Sequence, residues 1–597
     1  MLPSPVIMNA ATEPVPRWRI PALSTLLGAL VGLLLWQRLG LAWGRDFDPD
    51  ELQHIHGGFS IASGLVPYVD YFEHHTPWFG WLAASLIEWL GPDWDTLMAA
   101  RLAFGALSAG ALAVTWWIER SLSGKSAALV ALVIHATFLA AIDKGIEIRP
   151  DVPAALLFSL SLAWGCRALR KSGAMPSAIL AGLALGAGLM FTPKLAFAAI
   201  GFGAGALLFL LVHGPEVRRR LPRLVALVLA SCVPALLTGL ALYRSGHFGA
   251  FFESVVMGPL DWKREVGASV HLGEAMARNP VSMVLGAVGL VAMFCRGMAF
   301  RRESPEGAEP MLFTAPLAAL GILFGWFLVP VPWPQFLLPL WALFGIGAAQ
   351  LIGRLRSGVE GAVFFSTAAA LLLGSYLALD LPWGSLGTAF LPPAIISAAG
   401  WIAIRSLAGN GPDAVVAEKS IGLRMIGLGS ALGLLLFGAY RLQPHAMPWA
   451  LAWGALGLIL VVSPPKQRLR ATALVFLMAG PLTPIARLLH ERPVFPFRAE
   501  FDAIMANTEP GDAVLTGWRG CAVFRPHAYR YFFLHKGVLQ MLSPQERGDL
   551  VLEALRSKEP AAAIRDEATQ GLSNDVQSYL DQNYAPADVG DIWFRKP

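Results

Sequence analysis

Long apolar runs separated by short polar segments dominate this chain. Runs of about seventeen or more mostly apolar residues recur roughly fifteen times, from Pro21–Trp43 to Ala471–Ile485. Pro77–Leu90 is also apolar but shorter, and we expect it to lie at the membrane surface or to re-enter the membrane. The pattern predicts an α-helical polytopic membrane protein with about 13–15 transmembrane helices.

Basic residues occur at every second gap between these runs, for example at Arg218–Arg220 and Lys466–Arg470. Because positive residues mark cytoplasmic loops, the N-terminus is predicted to be cytoplasmic and the C-terminal tail extracytoplasmic. The number of spans is then odd. The last five predicted spans are Val359–Leu379, Thr388–Ile404, Ile421–Tyr440, Met447–Val462 and Ala471–Ile485.

The hydrophobic pattern changes after residue 488. Residues 1–488 form the predicted transmembrane domain, whose first outer loop is 44–95, and residues 489–597 form a small C-terminal α/β extracytoplasmic domain. Within the tail, Asp512–Trp518, Ala561–Ile564 and Asp591–Phe594 are predicted strands, and Gln545–Ser557 is a predicted amphipathic helix.

Composition excludes a soluble protein, since 55% of the residues are hydrophobic, 15% are charged and the mean hydropathy is +0.55. The net charge of +5 follows from the loop clusters, so no nucleic-acid partner is needed. No P-loop or dinucleotide fingerprint is present, so a nucleotide substrate is not indicated. We expect a multi-pass protein of the plasma (inner) membrane, surrounded by membrane lipids.

The first loop concentrates the candidate chemistry. It places six carboxylates and four histidines within about thirty residues. Asp48, Asp50 and Glu51 are the candidate catalytic residues. Adjacent helical residues point about 100° apart, so one of Asp50 and Glu51 can face a substrate while the other holds the local fold. The alternative is that these residues only cap the next helix.

The four histidines of this loop, His54, His56, His74 and His75, match no metal-binding motif, so polar or substrate contacts are their default interpretation and no metal ligand is assigned. Two cations stand at the predicted outer starts of spans, Arg149 and Lys194. Free N–H groups and the helix dipole favour anions there, so together they predict a phosphate or pyrophosphate site. The alternative for each is snorkelling to the interface.

The segment Gly64–Pro77 resembles the first-loop pattern of GT-C membrane glycosyltransferases, G-x-x-P-Y-x-D-Y-F-x-H-x-x-P. The nearest branch is the bacterial protein-mannosyltransferase/aminoarabinose-transferase-like group. Asp50-Glu51 matches its Asp-Glu pair, Arg149 and Asp151 resemble its second patch, and Gly188–Lys194 resembles its G-L-x-x-x-T-K segment. The predicted substrate-binding residues are Tyr68, Asp70, His74, His75, Glu147, Arg149, Asp151 and Lys194.

The resemblance implies a glycosyltransferase that moves a sugar from a polyprenyl-phosphate donor to a hydroxyl on a lipid, glycan or protein acceptor. Asp50 or Glu51 would be the general base, and the configuration at the anomeric carbon would invert. Lipid phosphate is a good leaving group, so no cofactor is required, although a role for a divalent metal stays open. A flippase for lipid-linked sugars and a non-catalytic scaffold are the competing interpretations.

Overall fold

The computed structural model describes residues 31–32, 35–36, 38–213, 217–260, 262, 267–299, 309–330, 332–352, 496–532 and 542–597. The five predicted spans between residues 359 and 485 and the predicted boundary at residue 488 lie outside these ranges. The span Pro21–Trp43 is described only in part, and its described residues 31–32, 35–36 and 38–43 are helical.

Helices make up the described part up to residue 352. They are α1 (Pro49–Ala62), α2 (Pro77–Leu90), α3 (Trp94–Ser123), α4 (Lys125–Thr137), α5 (Leu139–Asp143), α6 (Asp151–Leu169), α7 (Met175–Phe191), α8 (Ala196–Val212), α9 (Val217–Arg244), α10 (Phe248–Phe252), α11 (Ala268–Arg278), α12 (Pro280–Ala299), α13 (Met311–Leu328) and α14 (Leu338–Ile352). Short 3-10 turns at Pro193–Leu195 and Pro334–Leu337 lead into α8 and α14.

Six helical segments of the described part are long and apolar enough to cross a membrane: Trp94–Ser123, Asp151–Leu169, Pro193–Val212, Val217–Arg244, Met311–Leu328 and Pro334–Ile352. This confirms a polytopic helical membrane protein. One of the roughly fifteen apolar runs, Ser126–Ile142, is predicted as a single span but is instead divided into α4 and α5. Phe138 leaves helical geometry there, with ψ 115°, and its ring stacks on Trp341 at 4.3 Å.

Small residues allow the helices to approach closely. In α1, a Cβ on Gly58 would lie 2.5 Å from the Cβ of Ala83, so α1 and α2 pack nearly backbone to backbone. In α7, a Cβ on Gly182 would lie 2.2 Å from the carbonyl oxygen of Leu227 in α9. Inside a bilayer the lipid tails are as apolar as the helices, so helix association depends on close packing of this kind.

The C-terminal region forms the predicted α/β unit. Its elements are α15 (Pro496–Asn507), β1 (Val514–Leu515), α16 (Pro544–Lys558), β2 (Ala562–Ile564), α17 (Glu567–Gln570), α18 (Asn574–Asn583), β3 (Tyr584–Pro586) and β4 (Ile592–Arg595). The sheet order is β1-β2-β4-β3, with β1 and β2 parallel and the other pairs antiparallel. The predicted strands and the predicted helix therefore form where the sequence placed them.

Alternation along these strands gives the sheet two buried faces. Leu515 and Ala563 face a local core with α16 and α18. Val514, Ala562 and Ile564 face the opposite way and join a single core that also contains Leu52 of α1 and buried residues of the membrane helices. The C-terminal sheet is thus packed directly onto the first loop.

Candidate functional site

The acidic end of the first loop starts α1. The Asp48 carboxylate accepts a hydrogen bond from the N–H of Asp50 at 3.0 Å, and the Glu51 carboxylate accepts one from the N–H of Asp48 at 2.9 Å. This is a capping box with Pro49 at the first helical position, so the four-residue sequence itself dictates the start of the helix. It also collects three carboxylates where the helix dipole favours negative charge.

Glu51 is completely buried. Its carboxylate accepts hydrogen bonds from Arg101 Nε at 3.0 Å and Nη2 at 2.7 Å, and from the N–H of Ile148 at 3.0 Å. Burial raises the pKa of the Glu51 carboxyl, but the Arg101 guanidinium outweighs burial and holds the pKa below its ordinary value. Glu51 therefore holds together α1, α3 and the loop before α6.

Asp48 and Asp50 lie nearer the surface, with side chains 28% and 29% exposed. Arg149 Nη2 contacts Asp48 at 2.8 Å and Nη1 contacts Asp50 at 2.5 Å. Burial raises the pKa of the Asp48 carboxyl, but the opposite effect of Arg149 and Lys144 is larger. The pKa of Asp48 therefore lies well below its usual range. Of the adjacent Asp50–Glu51 pair, Asp50 is thus the member that a substrate can reach.

Arg149 is enclosed by acids. Besides Asp48 and Asp50, its Nε donates to Glu147, which is itself bound by Arg45 Nη2 at 2.7 Å and by Lys144 Nζ at 2.9 Å. Burial lowers the pKa of Arg149, but the three carboxylates raise it well above its ordinary value. The sequence suggested an open anion site here; instead, Arg149 is 4% exposed and neutralises the catalytic candidates.

Lys194 lines a separate small cavity of about 20 Å³ beside the start of α6. Asp151 and Thr192 also line it, and its apolar walls come from Leu195, Ala198, Ile322, Phe336 and Pro339. No ion pair ties Lys194 to a carboxylate of the described residues. The cavity combines an available cation with an apolar surface.

Three predicted residues gather in a histidine cluster with Glu73. Glu73 Oε1 accepts hydrogen bonds from His75 Nδ1 at 2.7 Å and from the N–H groups of His74 and His75 at 2.8 and 2.9 Å. The Tyr68 hydroxyl donates to the His75 carbonyl at 2.8 Å. Burial raises the pKa of Glu73, but His75 outweighs burial and brings it to about 2.

Glu73, His74 and His75 can also serve as metal ligands, since one donor atom of each lies within 4.8 Å of the others. Imidazole and carboxylate donors suit zinc and related divalent ions. These three residues are consecutive in the sequence, and this spacing matches no metal-binding motif. The sequence therefore did not indicate the set.

His54 connects the acidic and histidine clusters. It lies one helical turn after Asp50 on α1, so both side chains share a face. Its ring lies 4.7 Å from that of His75. Burial lowers the pKa of His54, and His75, Arg149 and Lys194 lower it further. The acids, the histidines and Lys194 therefore occupy one continuous region.

Known proteins resemble this chain in part of its sequence and in its fold. Residues 74–237 match the family described as dolichyl-phosphate-mannose-protein mannosyltransferase. ArnT from Cupriavidus metallidurans, in a crystal structure with bound undecaprenyl phosphate, superposes with a TM-score of 0.56 at 15% identity, over 95% of this chain and 97% of that one. Its apo structure gives 0.57 at 14% identity, over 96% and 98%. No curated protein matches in sequence.

Residues 74–237 therefore resemble this mannosyltransferase family, and the chain shares its fold with ArnT. Both findings agree with the family resemblance drawn from the first loop. The matched region begins at His74 and includes Arg149 and Lys194, but not Asp48, Asp50 or Glu51.

Two further predicted substrate-binding residues, Asp70 and Tyr68, lie in the turn before the histidine cluster. Asp70 is exposed, and its carboxylate accepts a hydrogen bond from the N–H of Val66 at 2.7 Å, which closes a turn. Tyr68 is buried, with a left-handed φ of 72°. Asp70 lies outside the acidic network, and its role in substrate binding stays a prediction.

Four residues of the site were not identified from the sequence: Arg45, Glu73, Arg101 and Lys144. Arg101 had a usable signal, since an arginine inside an apolar span is expensive and is commonly functional. Arg45 and Lys144 stand among other charges in loops; tertiary packing brings Arg45 to Glu147, whereas Lys144 lies three residues before it. No local pattern distinguishes them.

Proposed function

We propose that this protein is a GT-C membrane glycosyltransferase, which transfers a sugar from a polyprenyl-phosphate donor to a hydroxyl acceptor on the extracytoplasmic face of the plasma membrane. The N-terminus would be cytoplasmic, and the first loop and C-terminal domain would be extracytoplasmic, as the basic loop clusters favour. The observation that carries the proposal is the partly exposed Asp50 carboxylate, oriented by Arg149 beside a cavity that contains Lys194.

Asp50 is proposed as the general base. One of its oxygens contacts Arg149, and the other makes no hydrogen bond within the described residues. That oxygen would take the proton of the acceptor hydroxyl while the hydroxyl oxygen attacks the anomeric carbon. The bond from this carbon to the phosphate oxygen breaks, so direct attack inverts the configuration.

Lys194 is proposed to receive the leaving phosphate. Negative charge grows on the phosphate as the glycosidic bond breaks, and a fixed cation stabilises that charge. The apolar side chains beside Lys194, including Ile322 and Phe336, would contact the first isoprene units of the lipid if the phosphate lies at Lys194. The ArnT structure with undecaprenyl phosphate supports a donor of this class.

The test is transfer of radiolabelled sugar from a polyprenyl-phosphate donor by the purified full-length protein in lipid nanodiscs. Asp50→Asn keeps the shape but removes the base, so turnover should fall by about 10²–10⁴-fold. Asp549→Asn, on exposed α16, is the matched control and should behave as wild type. Full transfer by Asp50→Asn would overturn the assignment of the base, whereas no transfer by the wild type would favour the flippase or scaffold interpretation.

A further inference from the structure

One short part of the C-terminal region touches two separate pieces of the first loop. Residues 523–532, here called the clamp segment, contact α1 through His56 and contact the turn at residues 66–72 through Arg530. The same turn leads directly into the Glu73–His75 cluster, while α1 carries Asp50 and His54. The clamp segment therefore bridges the two halves of the site.

The contact with α1 is buried and specific. His56 is 3% exposed, and its Nδ1 donates to the carbonyl oxygen of Val523 at 2.9 Å. Its ring stacks on Phe532 with 3.7 Å between centroids and 10° between planes. His56 lies on the face of α1 that meets the C-terminal region, whereas His54 contacts His75 on the side of the site.

The contact with the turn is doubly hydrogen-bonded. Arg530 Nη2 donates to the carbonyl oxygen of Tyr68 at 3.0 Å, and the Arg530 carbonyl accepts from the N–H of Phe72 at 3.0 Å. Tyr68 needs this support, because a left-handed φ is strained for an aromatic residue. Its hydroxyl in turn fixes the carbonyl of His75. Arg530 thus acts on the histidine cluster through Tyr68.

We propose that the clamp segment is a positioning element, in which His56 and Arg530 fix α1 and Asp50 relative to the Glu73–His75 turn. The functional part of this proposal rests on the proposed glycosyltransferase activity. Neither His56 nor Arg530 touches the reacting atoms. Their effect is to hold the base and the histidine cluster at one separation, which matters because small displacements of reacting groups cost large factors in rate.

The first experiment needs no activity. Hydrogen–deuterium exchange of the full-length protein in nanodiscs would compare wild type with Arg530→Met. Loss of the guanidinium should speed amide exchange in residues 66–76 by about tenfold, while exchange in α7 stays unchanged. Arg595→Met is the matched control, because Arg595 on β4 pairs with Glu559 within the C-terminal region. Unchanged exchange at the turn would overturn the proposal.

The second experiment measures turnover with the same donor. Arg530→Met should lower kcat about tenfold with donor KM within about twofold of wild type. Arg530→Lys should restore most of kcat, since an ammonium can still reach the Tyr68 carbonyl. His56→Asn keeps a donor toward Val523 and should retain more activity than His56→Ala. Wild-type kcat in Arg530→Met overturns the positioning role, whereas an inactive wild type argues against the proposed function and leaves the exchange result standing.

Discussion

The Arg101 guanidinium donates two hydrogen bonds to the Glu51 carboxylate, at 3.0 and 2.7 Å, and both side chains are fully buried. Arg101 also donates to the carbonyl oxygens of Arg45 and Asp46 and lies 3.8 Å from the ring centroid of Phe47. A residue of span α3 thereby fixes the chain that enters α1. The pair sets where Asp48 and Asp50 stand.

Replacing one member of this pair should destabilise the folded site. Glu51→Gln leaves Arg101 as an uncompensated buried charge, which costs about 3–5 kcal/mol. We expect a clear loss of thermal stability in detergent, together with lower turnover. Arg498→Leu removes an exposed pair with Asp502 and should cost about 1 kcal/mol or less. If Glu51→Gln keeps wild-type stability while turnover disappears, Glu51 rather than Asp50 is the base.

Much of this arrangement could be predicted from the sequence, because it is local. Asp48, Asp50 and Glu51 lie in one short stretch. Because adjacent helical side chains point in different directions, the sequence already predicted that only one of Asp50 and Glu51 faces a substrate. The capping alternative proved compatible with the catalytic one, since Asp48 caps α1 and stays partly exposed. Arg101 could not be placed, because its distance of 50 residues from Glu51 is closed only by tertiary packing.

Removing the cation of the cavity should affect donor binding. Lys194→Gln loses a charge-assisted hydrogen bond to phosphate of about 1.5–3 kcal/mol, so donor KM should rise about 10–100-fold. Kinetics over a range of polyprenyl-phosphate-sugar concentrations measure this. Lys125→Gln, at the start of α4, is the control and should leave donor KM unchanged. A wild-type donor KM in Lys194→Gln would place the phosphate elsewhere.

The metal dependence of sugar transfer can be measured separately from metal binding at the histidine cluster. We expect sugar transfer to survive extensive chelation within about twofold, because a phosphate leaving group and Lys194 suffice without a Lewis acid. Binding of added zinc to Glu73, His74 and His75 can be measured independently by calorimetry, with Glu73→Gln as comparison. Loss of transfer on chelation, with recovery on adding zinc, would contradict this expectation.

Acid should weaken the contact between the C-terminal region and α1. Burial, and then His527, lower the pKa of His56 from 6.5 to about 3. Below about pH 6.5 the unfolded chain binds a proton at this position that the folded chain does not, so stability falls between pH 6.5 and 3. Thermal unfolding across this range should show it. His56→Phe should flatten the slope by about one proton, and an unchanged slope would refute this source.

Glu73 adds a second acid-sensitive contribution. Its folded pKa of about 2 lies below the ordinary 4.5, so the contacts that favour its carboxylate stabilise the fold above pH 4.5, and this contribution is lost as pH falls to about 2. Glu73→Gln should reduce the loss of stability between pH 4.5 and 2. Unfolding curves for this variant that fall as steeply as those of wild type would contradict the assignment.

The sheet face formed by Val514, Ala562 and Ile564 shares one apolar core with Leu52 of α1 and with the membrane helices. A tail grafted from a relative would meet this surface with side chains of other volumes, and interiors tolerate such mismatch poorly. We therefore expect a foreign tail to be tolerated only when the α1 segment that matches it is exchanged at the same time.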